Sequence, residues 1–85
     1  MIRKHVLIQS YVKERYFIST IRRDSSCAEF PYPYYETMAW HWDKATRKTG
    51  ELIDQLDGVN AEDSAIAAHI AFCTELAAQE EKCQP

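Results

Sequence analysis

The sequence predicts an α+β domain, in which an antiparallel sheet of three or four strands carries one C-terminal helix packed on it. In the first half of the chain, apolar side chains alternate with polar ones at period two, which is typical of half-buried strands. The last third consists of strong helix formers with apolar residues three and four positions apart. With 85 residues, 46% of them hydrophobic, we expect residues 1–85 to form a single domain with one core.

The first two strands are predicted at residues 5–12 and 15–23. Both segments alternate branched or aromatic residues with polar ones. The polar pair Lys13-Glu14 between them fits a short hairpin connection, although it lacks the glycine or asparagine of the favoured turns. We therefore expect an antiparallel pair.

The third strand is predicted at residues 34–43, after a loop over residues 24–33. Two prolines in the loop hold their preceding residues in extended geometry, which indicates a stiff crossing. Met38 and Trp40 are two positions apart, so they share one face of the strand. Large side chains of this kind dominate small cores, and we expect both to be buried there.

The fourth strand is predicted at residues 50–56 and the helix at residues 61–82. The apolar stripe of the helix consists of Ile66, Ile70, Cys73 and Ala77, widened by His69, Phe72 and Leu76. We expect this stripe to cover the face of the sheet that carries Met38 and Trp40.

Charge is unevenly distributed along the chain. Residues 1–23 hold six Lys and Arg against Glu14 alone, whereas residues 51–85 hold eight Asp and Glu against Lys82 alone. The simpler interpretation is a solvated surface on which neighbouring elements attract one another. The alternative is an acidic face presented to a basic partner.

The cysteine count and the apolar runs indicate a cytosolic protein. An odd number of widely separated cysteines is unlike a disulfide framework and favours reduced thiols: Cys27, Cys73 and Cys83. The sequence has neither a signal peptide's apolar stretch nor the roughly 20 apolar residues of a membrane helix. We expect no membrane association.

The sequence contains no phosphate loop, dinucleotide fingerprint, nucleophile elbow or paired-cysteine motif. A catalytic cysteine would need a histidine base and an orienting group, and nothing in the sequence places Cys27 beside one of the scattered histidines. We therefore predict a protein without enzymatic activity and without a cofactor.

One pair of residues has the spacing of metal ligands. His69 and Cys73 are four apart on the predicted helix and could bind zinc, with Cys27 or His41 completing the site. Structural zinc sites usually contain a second close pair, which this sequence lacks. A buried thiol beside a hydrogen-bonded histidine is the favoured interpretation, and we predict no metal site.

Glu36 is the carboxylate that we expect to be semi-buried, because it alternates with Met38 and Trp40. A buried carboxylate is often functional, but pairing with an arginine across the sheet is the more frequent outcome. The candidate partners are Arg15, Arg22 and Arg23.

Nucleic-acid binding by the N-terminal hairpin is an alternative. Sheet aromatics flanked by cations can stack bases, and the hairpin contains both: Arg3, Lys4, Lys13, Arg15, Arg22 and Arg23 with Tyr11, Tyr16 and Phe17. The overall net charge of −3 and the acidic helix argue against it, because an anionic protein repels phosphate at a distance.

Several segments form a family-like pattern: Tyr16-Phe17-Ile18-Ser19-Thr20-Ile21, Asp24 with a loop reaching Pro33, Tyr34-Tyr35-Glu36-Thr37-Met38-Ala39-Trp40, and Ala67-Ala68-His69. Together they resemble small uncharacterised proteins encoded by tailed phages and prophages. Those proteins share an aromatic-V-S-T-V strand, a variable loop, an aromatic-E-T-M strand and a helix with an alanine and a histidine. The chain departs from that pattern at Ala68, where glycine is usual, and at Ala39, where a larger residue is usual.

The resemblance implies a phage or prophage origin and an accessory protein in the host cytoplasm. By analogy, such a protein binds and blocks a host protein or complex, including CRISPR and other defence systems. The predicted partner-binding residues are Phe30, Tyr32, Tyr34, Tyr35, Asp54, Asp57 and Glu62. A nucleic-acid-binding module, a virion or assembly component, and a homodimer remain open alternatives.

Overall fold

The computed structural model describes residues 4–23 and 33–83, which form a four-stranded antiparallel sheet and one helix. The elements are β1 (Lys4–Val12), β2 (Tyr16–Arg23), β3 (Tyr34–Asp43), β4 (Lys48–Val59) and α1 (Glu62–Cys83). The strands are arranged in chain order, so each strand pairs with its neighbour in sequence and β1 and β4 are the two edges. The predicted α+β fold, with the helix packed on the sheet, is confirmed. The predicted loop at residues 24–33 lies outside the described residues except for Pro33.

The hairpin between β1 and β2 contains a turn whose two central residues have positive φ angles. Lys13 has a φ of 52° and Glu14 a φ of 58°, and the Arg15 amide donates to the Val12 carbonyl at 3.0 Å. These features define the mirror-image type I turn that matches the twist of a hairpin. Lys13 and Glu14 both carry a Cβ atom and adopt positive φ at an energetic cost. The turn thus forms without the asparagine and glycine that would adopt this backbone more easily.

The helix covers the sheet face opposite to the predicted one. The buried side chains beneath α1 include Ile18, Thr20, Thr37 and Ala39. Met38 and Trp40 do share a face, but it is the face without the helix, so the prediction that α1 covers them is wrong. Alternation assigns residues to two faces without saying which one a helix will occupy. The small side chains of β2 and β3 allow α1 to approach closely, which two large side chains would prevent.

The stripe of α1 that contacts the sheet is also rotated from the predicted one. Ala65, His69 and Leu76 are buried, and Phe72 and Cys73 pack against the core. Ile70, which we expected in the stripe, is 57% exposed. The stripe that contains His69 is less hydrophobic than the adjacent stripe that contains Ile66 and Ile70. A search for the most hydrophobic side of the helix therefore selects the stripe with the isoleucines, which is not the one that contacts the sheet.

Strand β4 is longer and less regular than predicted. It extends over Lys48–Val59 instead of residues 50–56. Its register with β3 shifts at three points, and at each of them β4 contributes one more residue than β3. Each extra residue is a β-bulge, which bends the strand and interrupts the alternation of its side chains. For this reason the apolar residues of β4 do not follow a simple period of two.

We expect the double substitution Lys13→Asn and Glu14→Gly to stabilise the protein by about 1 kcal/mol, because asparagine and glycine adopt positive φ with less strain. Urea unfolding monitored by tryptophan fluorescence measures the change. The control Glu14→Ala keeps the positive φ on a residue with a Cβ atom and is not expected to stabilise. Equal stability of the double variant and the wild type would contradict the turn assignment.

Candidate functional site

The centre of the structure is a hydrogen-bonded group that joins α1 to three strands. His69 is 2% exposed; its Nδ1 lies 2.8 Å from Thr20 Oγ1 and its Nε2 lies 2.8 Å from Ser10 Oγ. Thr20 Oγ1 is in turn 2.7 Å from the hydroxyl of Thr37. A neutral imidazole has one N–H group and one bare nitrogen, so one of its two hydroxyl partners accepts a hydrogen bond and the other donates one.

The same group has the spatial order of a nucleophile, a base and an orienting hydroxyl. However, Ser10 and His69 meet between the sheet and α1, and neither lines the two cavities described below. Both imidazole nitrogens are occupied by hydroxyls, so we assign the group a structural role. Whether the chain is an enzyme stays a prediction from its sequence.

His69 and Cys73, the pair with the spacing of metal ligands, both contact Ser10 of this hydrogen-bonded group. Burial raises the pKa of the Cys73 thiol, although a hydrogen bond with Ser10 acts in the opposite direction. A raised pKa disfavours the thiolate that zinc requires. Among residues 4–23 and 33–83, no group of three or more metal-binding side chains is present. Cys27, one suggested third ligand, lies outside the described residues.

The burial of His69 makes stability depend on pH. Burial lowers the pKa of its imidazole below the ordinary value of 6.5. Above pH 6.5 the imidazole is neutral in both the folded and the unfolded chain, and the stabilising contribution is complete. Below pH 6.5 the unfolded chain gains a proton first, so we expect the free energy of unfolding to fall until the lower folded pKa is reached.

Urea unfolding at a series of pH values between about 7.5 and 5 measures this dependence, since the ordinary pKa of histidine lies inside that window. His69→Gln is expected to be less stable at neutral pH and to lose less stability on acidification. The matched control is His41→Gln, which replaces an exposed histidine outside the hydrogen-bonded group; the difference between the two variants gives the part of the pH dependence that belongs to His69. An unchanged pH dependence in His69→Gln would contradict the assignment.

On the face of the sheet without the helix, Glu36 is held by two side chains. It is 5% exposed, and its Oε1 accepts hydrogen bonds from Arg23 Nη2 at 2.8 Å and Nε at 3.2 Å. Its Oε2 accepts a hydrogen bond from Gln55 Nε2 at 3.0 Å. The expected burial and the pairing with an arginine are confirmed, and the partner is Arg23. Because both carboxylate oxygens are occupied, this group fixes β4 against β3 and offers little to a ligand.

The same face carries four aromatic side chains in contact, which we call the aromatic cluster: Tyr11, Phe17, Trp40 and Trp42. The Phe17 and Trp40 rings are stacked, with centroids 5.7 Å apart and an angle of 19° between their planes. Tyr11 lies 5.1 Å from Phe17 and 5.0 Å from Trp42. Tyr11 is 57% exposed and the other three are half-buried. The cluster is therefore an open surface of the sheet.

Strand β4 forms a second open surface. Every residue from Lys48 to Asp57 is exposed, and three of them are large apolar residues, Leu52, Ile53 and Leu56. Between β4 and α1 lies a cavity of about 190 Å³, which we call the β4–α1 groove. Its lining combines apolar side chains with two carboxylates: Ala39, Ile53, Asp54, Phe72, Glu75, Leu76 and Gln79.

The predicted partner-binding residues are only partly brought together. Asp54 and Asp57 are exposed on β4, and Glu62 is exposed in the first turn of α1. Tyr34 is buried and Tyr35 half-buried, which leaves little of the Tyr34 ring for a partner to contact. Phe30 and Tyr32 lie outside the described residues.

The sequence identifies Tyr11 and Phe17 only as possible base-stacking aromatics of the hairpin and does not group them with Trp40 and Trp42. It also gives no sign that the apolar residues of β4 form an exposed edge. The sequence does contain a signal for the aromatic cluster, namely the difference in side-chain size between the two faces of β3. Strand β3 carries Trp40 and Trp42 on one face and Thr37 and Ala39 on the other. A helix packs closely on the face with the smaller residues, and this contrast could have located it.

Within the described residues, the single helix lacks the length of apolar sequence that a membrane crossing requires. Comparisons with known proteins give no assignment: no family model, curated protein or solved structure matches the chain.

Proposed function

We propose that the chain is a phage-type accessory protein that binds a protein of the host cytoplasm and blocks it, with β4 as its contact edge. The phage origin and the blocking of a host protein, including components of CRISPR and other defence systems, rest on the resemblance of the strand and helix segments. The assignment of β4 as the binding surface rests on one observation: β4 is an exposed edge strand with three large apolar residues.

An edge strand has backbone N–H and C=O groups without partners on one side, and an extended segment of another protein can pair with them. In the part of the chain that the structure describes, strand β4 pairs with β3 alone, and at 12 residues it is the longest of the four strands. Edge strands that must stay single are usually short or covered by other elements. A long, uncovered edge with apolar side chains is therefore suited to a partner strand.

The β4–α1 groove indicates which side chains such a partner would carry. Its floor is formed by Ala39, Phe72 and Leu76, which favour an apolar stem. Its walls carry Asp54 and Glu75, which favour a cation. Lysine and arginine combine an apolar stem with a charged end, so the groove suits a basic side chain of the partner.

The charge along β4 agrees with a basic partner and disfavours a second copy of this chain. Glu51, Asp54 and Asp57 are exposed along the strand. Pairing two copies of β4 would bring these carboxylates together, whereas a basic segment would be attracted to them. We therefore favour a heterologous partner over the homodimer.

We expect Ile53→Lys to weaken partner binding by about 2 kcal/mol or more, because it places a cation and a longer side chain at the groove. The matched control is Ile70→Lys. Ile70 is equally apolar and more exposed, but it lies on α1 outside the groove. Capture from host lysate with wild-type protein identifies the candidate partner, and titration of the purified partner with both variants gives the affinities.

Circular dichroism and urea unfolding establish that both variants fold. Equal binding by Ile53→Lys and Ile70→Lys would overturn the assignment of β4 as the contact edge. A partner recovered from virions instead of from the host would replace the blocking role with an assembly role.

A further inference from the structure

A second cavity lies at the end of the sheet where the two hairpin turns meet. It is open, has a volume of about 550 Å³, and is lined by Tyr11, Glu14, Trp42, Lys44 and Arg47; we call it the tip cleft. The turn between β1 and β2 provides one wall and the turn between β3 and β4 provides the other. The Lys44 Nζ donates to Glu14 Oε2 at 2.8 Å and thereby joins the two turns.

Hydrogen bonds order the backbone of the turn between β3 and β4 and join it to the turn between β1 and β2. Asp43 Oδ1 accepts a hydrogen bond from the Ala45 amide at 2.9 Å, and the Arg47 amide donates to the Asp43 carbonyl at 2.8 Å. Across the sheet, the Trp42 amide donates to the Arg15 carbonyl at 2.7 Å. The aromatic and basic side chains of the cleft are thus held on ordered backbone.

From this combination of features we propose that the tip cleft and the adjoining aromatic cluster bind single-stranded nucleic acid. Tyr11 and Trp42 provide ring faces and edges for a base, Arg47 provides a cation for phosphate, and Lys44, which is paired with Glu14, adds positive charge beside it. Stacking on aromatic side chains together with contacts from cations is how proteins bind single strands without sequence preference.

Charge complementarity supports a polyanion at this end of an otherwise acidic protein. The two turns and their flanks contain five cations and two carboxylates: Lys13, Arg15, Lys44, Arg47 and Lys48 with Glu14 and Asp43. Glu51, Asp54 and Asp57 lie three, six and nine residues from Lys48 along β4, up to roughly 10, 20 and 30 Å at the rise of an extended strand. Asp54 and Asp57 are thus well beyond the screening length of about 8 Å at physiological salt, and Glu51 is the carboxylate of β4 that acts most strongly on a ligand at the tip.

A strand of several nucleotides fits the surface better than a single nucleotide. The aromatic cluster continues from the cleft through Phe17 to Trp40, in a series of contacts 5.0–5.7 Å apart. Successive bases of a single strand can stack along such a series. An open sheet face with exposed rings gives paired bases, which are stacked inside a duplex, no comparable contact.

Of the two cations in the cleft, Arg47 is the one available to phosphate. Lys44 is already paired with Glu14, whereas Arg47 has no side-chain ion pair within residues 4–23 and 33–83. Glu14 therefore weakens the site in two ways: it occupies a cation and it adds a negative charge beside the ligand. Removal of that charge gives a variant for which tighter binding is expected.

Fluorescence anisotropy with a labelled oligothymidylate of about 15 nucleotides tests the proposal at about 50 and 200 mM salt. We expect Tyr11→Ala to lower the affinity by about tenfold or more and Tyr11→Phe to preserve it, because the ring is the stacking element. Arg47→Gln should lower the affinity and reduce the salt slope by about one. Glu14→Gln should raise the affinity.

Matched controls separate this site from general charge effects. Arg22→Gln removes a cation from the exposed surface of β2 away from the cleft and should change the affinity less than Arg47→Gln. Competition with a mononucleotide, with a duplex of the same length and with polyglutamate identifies the ligand class. Weaker competition by all three supports a single-strand site.

Several results would overturn the proposal. Absence of binding at the lower salt concentration, or equal affinity of wild type and Tyr11→Ala, would exclude base stacking in the cleft. Competition by polyglutamate as strong as by the oligonucleotide would indicate an acidic protein segment as the partner instead. Because Ile53→Lys leaves the tip cleft intact, it should retain oligonucleotide binding, and this keeps the test independent of the function proposed for β4.

Discussion

The position of the helix depends on the buried imidazole of His69. Its two nitrogens are satisfied by hydroxyls from β1 and β2, and the second of these hydroxyls is bonded to Thr37 of β3. A buried polar group without partners is costly, so α1 cannot rotate or move to the other face without leaving these groups unsatisfied. The apolar core beneath the helix is small, with Ile18, Ala39 and Leu76 at its centre. In a core of this size, one well-satisfied polar group has a large influence on which arrangement is lowest in energy.

The placement of α1 determines which surfaces are left for partners. The helix occupies the face with threonine and alanine, and the aromatic cluster of Tyr11, Phe17, Trp40 and Trp42 consequently lies on the opposite, open face. Aromatic residues in contact with one another stabilise the sheet through their mutual burial, yet their outer surfaces remain accessible. The same residues can thus support the fold and offer a binding surface. This dual role explains how a short chain can combine a single small core with an extensive exposed apolar surface.

Strand β4 shows how an exposed edge can be kept from uncontrolled pairing. Three β-bulges and three carboxylates distinguish it from a flat apolar edge, and both features are common protections against aggregation. The carboxylates leave the edge accessible but favour some partners over others. A basic segment is attracted to them, whereas a second copy of this chain is repelled. The acidic half of β4 and the basic turns lie towards opposite ends of the sheet. The charge asymmetry of the sequence therefore becomes a spatial separation between two candidate surfaces.

The sequence by itself determined the order and type of the elements and limited the sheet to three or four strands, because period-two and helical patterns are local and strong in this chain. It also determined that Glu36 would be buried beside an arginine and that Met38 and Trp40 would share a face. Only the tertiary structure decided which face the helix covers, which helix stripe it uses and where β4 bulges. These outcomes depend on the fit of small side chains beneath α1 and on hydrogen bonds between residues as far apart as Ser10 and His69. A periodic pattern contains no information about such long-range contacts, so it defines both faces of the sheet equally well and leaves the choice between them to packing.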